Sequence, residues 1–221
     1  MKYLLIHGYG VGLQYSFFKQ AEGVNAGFGA FDELIEQKQA SVFRWDIPRK
    51  LNLFESINPI INLRHYRKEV TKAQDKATHQ ALEQELDTQQ PEIIVCHSTG
   101  SLLLYSYLQE YILPQSVKRI VFIQSNIPRT MSTPQYLENA LNNKSITMIN
   151  MYCCWDQALC SLVLLEGSIS LGLCGSRHPL PQFCNWANWF FCHRHWERAS
   201  CIAQKQSKTP FGFSRVPLGY T

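Results

Sequence analysis

A serine with small neighbours lies between an apolar run and a helix-like segment, at residues 96–100 (Cys-His-Ser-Thr-Gly). Residues 92–96 (Glu-Ile-Ile-Val-Cys) form a short apolar run with β-branched residues after the leading glutamate, as is typical of a buried strand, and residues 101–108 favour a helix. A nucleophilic serine must stand clear of a sheet edge, which requires a tight, strained turn whose flanking positions are small. The pattern therefore predicts that Ser98 is a nucleophile. The alternative is that its hydroxyl caps the helix that follows.

Two backbone amides are candidates to stabilise a negatively charged oxygen near that serine. The amide of Thr99 begins the predicted helix, where the helix dipole favours a developing oxyanion. A second donor is expected in the loop after an early strand, and residues 7–10 (His-Gly-Tyr-Gly) follow the apolar run 3–6. Glycines there let the backbone approach a substrate carbonyl, which points to the amide of Tyr9. A dinucleotide-binding turn is not favoured, because Leu13 stands where its third glycine would be.

A carboxylate and then a histidine must follow the serine in the chain order that this type of site requires. Asp156 is the only aspartate after Ser98, and it comes shortly after the strand-like run 146–152. A carboxylate in that loop would hold an imidazole in one tautomer and stabilise the imidazolium. The competing interpretation is that Asp156 caps a helix beginning at residue 157, and the two roles are compatible.

Three histidines follow the candidate acid: His178, His193 and His195. The motif alone does not separate them. We prefer His193 slightly as the catalytic base, with His195 as the alternative, because His193 comes first before an amphipathic stretch. His65 and His79 are expected to be solvated.

Strands alternate with helices along the chain, which indicates an α/β fold. We expect a three-layer α/β/α sandwich with a mostly parallel sheet. A single helix is predicted over residues 71–90, whereas residues 49–70 are ambiguous and Pro59 is expected to break any long helix there. The pattern fades beyond residue 164. Further strands are predicted at 41–45 and 117–124, and further helices at 31–37 and 134–142.

The domain prediction is one α/β domain over residues 1–202, followed by a C-terminal extension over residues 203–221. The extension is rich in Lys, Ser, Pro and Gly and has no periodic pattern. Such a segment need not pack on the domain.

Three motifs together resemble the α/β-hydrolase superfamily, over roughly residues 1–200. They are residues 5–10 (Leu-Ile-His-Gly-Tyr-Gly), 95–100 (Val-Cys-His-Ser-Thr-Gly) and 152–159 (Tyr-x-x-x-Asp-x-Ala-Leu). The resemblance is to esterase-like serine hydrolases of unassigned function, and it implies a compact α/β-hydrolase core. It also implies a triad of Ser98, Asp156 and His193 (or His195), and hydrolysis of an ester, thioester or related acyl bond through an acyl-serine. No cofactor is expected.

Composition argues against several other classes. The chain has 221 residues, 45% of them hydrophobic and 17% charged, which does not fit a disordered protein. The net charge of +4 comes without a basic run, so a nucleic-acid partner is not expected. Neither a secretory signal nor a membrane-spanning stretch is evident, so we expect a cytoplasmic protein whose partner is a small acyl substrate.

Two alternative functions come from other features of the sequence. Seven of the eight cysteines lie between Cys153 and Cys201, but no Cys-x-x-Cys pair exists, so a zinc module is the least favoured alternative. Reduced, buried thiols are the simpler interpretation. The second alternative is a non-catalytic α/β-hydrolase-like binding protein, with the aromatic-rich segment 183–196 as its contact surface.

Overall fold

The computed structural model describes residues 1–9, 13–15, 28, 31–45, 47, 49–51, 58–129, 132–167, 169–175 and 182–187. The strands are β1 (Tyr3–Ile6), β2 (Leu13–Tyr15), β3 (Ala40–Phe43), β4 (Arg49–Leu51), β5 (Ile93–His97), β6 (Arg119–Ile123), β7 (Thr147–Tyr152) and β8 (Phe183–Ala187). The helices are α1 (Asp32–Glu36), α2 (Pro59–Ala73), α3 (Lys76–Gln89), α4 (Thr99–Glu110), α5 (Gln135–Asn142), α6 (Gln157–Glu166) and α7 (Leu171–Cys174).

Six of the strands form one parallel sheet in the order β3-β1-β5-β6-β7-β8, while β2 and β4 form a separate parallel pair. The chain first moves outward from β1 to β3, then returns to the other side of β1 and continues from β5 to β8. The strand order therefore reverses between β1 and β5. In open α/β sheets, ligands bind beyond the carboxyl ends of the strands at such a switch point.

The strands β1, β5, β6 and β7 are buried on both faces of the sheet, because their alternate residues face opposite helical layers. On one face the strands pack against α3, α4 and α5. On the other face they pack against α1 and the two phenylalanines that precede it in the chain. The first core contains Leu4, Ile6, Ile94, Cys96, Leu82, Leu86, Leu103, Leu104, Leu137 and Leu141. The second core contains Leu5, Val95, Val121, Ile123, Phe28 and Phe31, with Leu34 and Ile35 packed against it. The predicted three-layer α/β/α fold is thus confirmed.

Pro59 begins a helix instead of breaking one. It occupies the first turn of α2, where a backbone N–H has no partner within the helix, so the N–H that proline lacks is not missed. The side chain of Asn58 caps the helix by accepting from the amide of Ile60 at 3.0 Å. The single helix predicted over 71–90 is also wrong, since α2 ends at Ala73 and α3 begins at Lys76.

The sheet continues past the point where the sequence pattern fades. Strand β8 pairs with β7 along its whole length, and Asn150 of β7 donates a hydrogen bond to the side chain of Asn185 at 3.2 Å. The first part of the predicted contact segment 183–196 is therefore a sheet strand. The rest of it, and the domain boundary at 202/203, lie outside the described residues. Within the part of the chain that the structure describes, no helix has the length and apolar character needed to cross a membrane.

Candidate active site

Ser98 alone forms the turn between β5 and α4. Its backbone has φ 48° and ψ −119°, on the side of the map that residues with a Cβ rarely occupy. A residue held there costs about 1–3 kcal/mol and persists only where its surroundings enforce it. Ser98 stands at the cap position of α4, but its side chain makes no capping hydrogen bond. The capping alternative is therefore wrong, and the strained turn remains to be explained.

Two glycines bring the motifs around residues 8 and 98 together. A Cβ at Gly100 would overlap the carbonyl oxygens of Ile6 and His7, so the first turn of α4 packs directly on the end of β1. A Cβ at Gly8 would lie 2.8 Å from the Cβ of Ser98. The loop after β1 therefore contacts the elbow, which is the strand-to-helix turn at residues 96–100. This contact sits at the switch point between β1 and β5, where a ligand crevice is expected.

The two predicted amide donors belong to the two segments that meet at Ser98. Thr99 is fully buried at the first position of α4, and among the described residues its amide donates to no other backbone group. Tyr9 follows Gly8, and its hydroxyl donates to the carbonyl of Asn62 in α2 at 3.2 Å. Its ring also makes edge contacts with the rings of His65 and Tyr66 in the same helix. Helix α2 therefore holds the Tyr9 side chain.

Asp156 lies in the turn that follows β7 and is completely buried. Its Oδ1 accepts a hydrogen bond from the amide of Leu159 at 3.0 Å, which confirms that it caps α6. A carboxylate has two oxygens and about four acceptor positions, so capping leaves capacity for a second donor. Because all six strands are parallel, the carboxyl ends of β5 and β7 lie at the same edge of the sheet. Ser98 comes just after β5 and Asp156 shortly after β7, so both lie beyond that edge.

The predicted bases His193 and His195, and the third histidine His178, lie outside the described residues. The part of the site that the structure describes therefore contains the serine, the candidate acid and both candidate amides.

His65 and His79 are buried, which corrects the expectation that they are solvated. The helices that carry them pack inward against α4. His79 contacts the carbonyl of Ala73 at 3.0 Å, and its ring meets those of Tyr107 and Tyr111 edge-on. His65 lies 3.7 Å from the Glu69 carboxylate, and both side chains are buried. Sequence pattern misses such residues because a lone histidine on a polar helix has the signature of a surface position.

A second strained residue, Gln124, lies directly beside the elbow and was not suggested by the sequence. It follows β6 with φ 48° and is 2% exposed. Its Oε1 is 3.3 Å from Nε2 of His97, the residue before Ser98. A Cβ on Gly172 would overlap the Gln124–Ser125 peptide, so α7 packs tightly on this turn. Two adjacent strand ends therefore carry left-handed, non-glycine residues.

The cysteines divide by environment. Cys96 is buried beneath the elbow, and this burial raises the pKa of its thiol well above the usual value, so the thiol stays protonated. Cys154, Cys160 and Cys184 are exposed. Among the described residues, no group of three or more His, Cys, Asp or Glu side chains is arranged to hold a metal ion. The histidine–cysteine segment around His193 lies outside that part.

Comparison of the chain with protein-family models, with curated proteins and with solved structures finds no match. The fold and the site therefore define the class of protein on their own. It is a three-layer α/β protein with a strained serine turn at the switch point of a parallel sheet.

Proposed function

We propose that the protein is a serine hydrolase of the α/β-hydrolase type that cleaves an ester, thioester or related acyl bond. The observation that carries the proposal is the backbone of Ser98, which is strained in a turn where its hydroxyl performs no capping. Strain of this kind clusters at functional sites. Its position at the switch point of the sheet supports the same conclusion, since ligands bind there in open α/β folds.

In the proposed reaction, the Ser98 oxygen attacks the acyl carbon while His193 (or His195) takes the hydroxyl proton. The resulting oxyanion accepts hydrogen bonds from the amides of Tyr9 and Thr99, each worth about 10²–10³ in rate. Collapse of this intermediate breaks the bond to the leaving group, which takes the proton from the imidazolium. Water, deprotonated by the same histidine, then hydrolyses the acyl-serine.

The role proposed for Asp156 is to hold that histidine and to stabilise its charged form. Its complete burial supports this role, because a carboxylate shielded from water interacts more strongly with a nearby imidazolium. Its place beyond β7, at the edge of the sheet that also carries Ser98, supports the same role.

Steady-state hydrolysis of p-nitrophenyl esters and of an acyl thioester tests the proposal. We expect Ser98→Ala to reduce turnover to the background rate. Asp156→Asn should reduce it about 10⁴-fold, because asparagine holds the imidazole in the wrong tautomer for accepting the serine proton. Asparagine caps helices as well as aspartate does, so the melting temperature of this variant should stay near that of the wild type.

The base is assigned by comparing His193→Ala with His195→Ala, of which only one should abolish turnover. Ser132→Ala, at an exposed serine, is the matched control and should retain full activity. Wild-type turnover in Ser98→Ala would overturn the proposal.

A binding protein without catalysis is the second candidate, and exposed apolar side chains beside the acid loop favour it. Trp155 is 71% exposed and Leu164, on α6, is 88% exposed. Trp155 directly precedes Asp156, so a partner that bound there would contact the loop carrying the candidate acid. A folded wild-type protein that shows no Ser98-dependent turnover would favour this candidate over the hydrolase.

A further inference from the structure

His7 is fully buried at the end of β1, beside the loop that contacts Ser98. Its ring stacks on that of Trp45, just beyond β3, with ring centres 5.4 Å apart and planes inclined by 14°. The indole Nε1 of Trp45 also donates a hydrogen bond to the backbone carbonyl of His7 at 3.1 Å. The side chain and the backbone of His7 are therefore both held by one neighbouring residue.

The partners of the two ring nitrogens select one tautomer. Nε2 of His7 is 3.3 Å from the backbone amide of Trp45, which can only donate, so Nε2 must present its lone pair. Nδ1 is 2.9 Å from the carbonyl oxygen of Gly8, which can only accept, so Nδ1 must carry the hydrogen. Two independent contacts thus require the same neutral Nδ1–H imidazole.

The hydrogen bond to Gly8 acts on the amide of Tyr9, because both groups belong to one peptide unit. In a planar trans peptide, the carbonyl and the N–H point in opposite directions. Fixing the Gly8 oxygen therefore fixes the direction of the Tyr9 N–H. Glycine at residue 8 would otherwise permit rotation of this peptide, since it lacks the Cβ that restricts the backbone.

A rotated peptide would present a carbonyl oxygen in place of the amide, and a carbonyl repels an oxyanion. We infer that His7, as the neutral Nδ1–H tautomer, is a positioning residue that keeps the Tyr9 amide oriented as an oxyanion donor. The inference rests on the proposed function, because the amide matters only if an oxyanion forms. The contact between Gly8 and Ser98 connects the two, since the peptide that His7 holds is part of the loop against the nucleophile.

Nitrogen-15 NMR of the wild-type protein at pH 7 tests the tautomer without any variant protein. We expect the imidazole signals of His7, assigned by their loss in His7→Gln, to show a protonated Nδ1 and an unprotonated Nε2. The opposite tautomer, or an imidazolium, would overturn the inference.

Two amide substitutions test the positioning role. In His7→Asn the side-chain amide reaches the place of Nδ1, and in His7→Gln it reaches the place of Nε2. We expect His7→Gln to lower kcat about 10²-fold, the value of one oxyanion donor, and His7→Asn to stay within about tenfold of the wild type. KM should change less than about threefold in both, because the interaction belongs to the transition state.

An oxyanion-forming trifluoromethyl ketone should lose affinity for His7→Gln in proportion to kcat. Equal losses of kcat in the two variants, matching their losses of thermal stability, would overturn the inference and leave the hydrolase proposal standing. Absence of any Ser98-dependent turnover in the wild type would instead overturn the hydrolase proposal, and the NMR measurement would still test the bond from His7 to Gly8.

Discussion

At Ser98 the backbone and the side chain give separate observations. The backbone is held at φ 48°, and the hydroxyl stands at the start of α4 without capping it. Serine is a good capping residue, and the usual reason for finding it before a helix does not apply here. The surroundings that enforce the turn are the close contacts of Gly8 and Gly100 with the neighbouring strand ends.

Substitution at this position separates strain from chemistry. Ser98→Gly should be more stable than Ser98→Ala by about 1 kcal/mol or more, because glycine adopts positive φ without the penalty that alanine keeps. Both variants should lack hydrolase activity. Urea unfolding at matched m-values measures the difference in free energy, and equal stability of the two variants would contradict the strain.

The thiol of Cys96, two residues before Ser98, should be chemically silent. Its raised pKa means that less thiolate is present at pH 8 than at an ordinary cysteine, and its burial excludes reagents. Iodoacetamide at pH 8 should modify the exposed Cys154, Cys160 and Cys184 in the folded protein, and Cys96 only after unfolding. Peptide mapping identifies the modified cysteines. Modification of Cys96 in the folded protein at the rate of Cys184 would contradict the burial of the Cys96 thiol.

At the scale of elements, the packing of α4 on β1 brings the two halves of the site together. Gly100 makes this packing possible, because any side chain would meet the carbonyls of Ile6 and His7. A glycine is therefore required at position 100 for a steric reason, which is the close contact between α4 and β1.

Gly100→Ala should destabilise the protein by about 2–3 kcal/mol or more, since backbone atoms must move to admit the methyl group. Gly167→Ala is the matched control, because Gly167 has φ 68° but open space around it, so the cost there is about 1–2 kcal/mol of backbone strain alone. Thermal unfolding compares the two. A smaller loss for Gly100→Ala than for Gly167→Ala would contradict the close packing.

The elements that the sequence predicts well are those buried on both sides. Strands β1, β5, β6 and β7 are short apolar runs bounded by turn residues, which is the signature of a parallel sheet. Strand β8 was missed because Cys184 and Asn185 are exposed, so its sequence lacks a continuous apolar run. The start of α2 was missed because Pro59 suggests a break unless the cap supplied by Asn58 is known.

Within the site, sequence predicts what local geometry dictates and misses what depends on distant partners. Ser98 was indicated by the small residues of its own turn, and Asp156 by its place after a strand. The surroundings of His7 and Gln124 could not be predicted, because each depends on a partner at a neighbouring strand end. His7 contacts the ring and the backbone amide of Trp45, and Gln124 contacts the imidazole of His97. Sequence spacing does not reveal which strands become neighbours.

At the scale of the whole molecule, the strand order gives the site its place. The chain leaves β1 in one direction and returns on its other side at β5, so the connections after these two strands diverge. In open α/β sheets, such a reversal of strand order leaves a crevice at the carboxyl ends of the strands. The segments that begin where β1 and β5 end carry Gly8, Tyr9 and Ser98, and Asp156 follows β7 at the same edge of the sheet.

The most direct test of the account is covalent labelling with a fluorophosphonate, followed by mass spectrometry of the modified peptide. We expect a single phosphonylated residue, Ser98, with no labelling in Ser98→Ala and much slower labelling in Asp156→Asn. Equal labelling of the wild type and Ser98→Ala, or an adduct mapped to another residue, would contradict the assignment of Ser98 as the nucleophile.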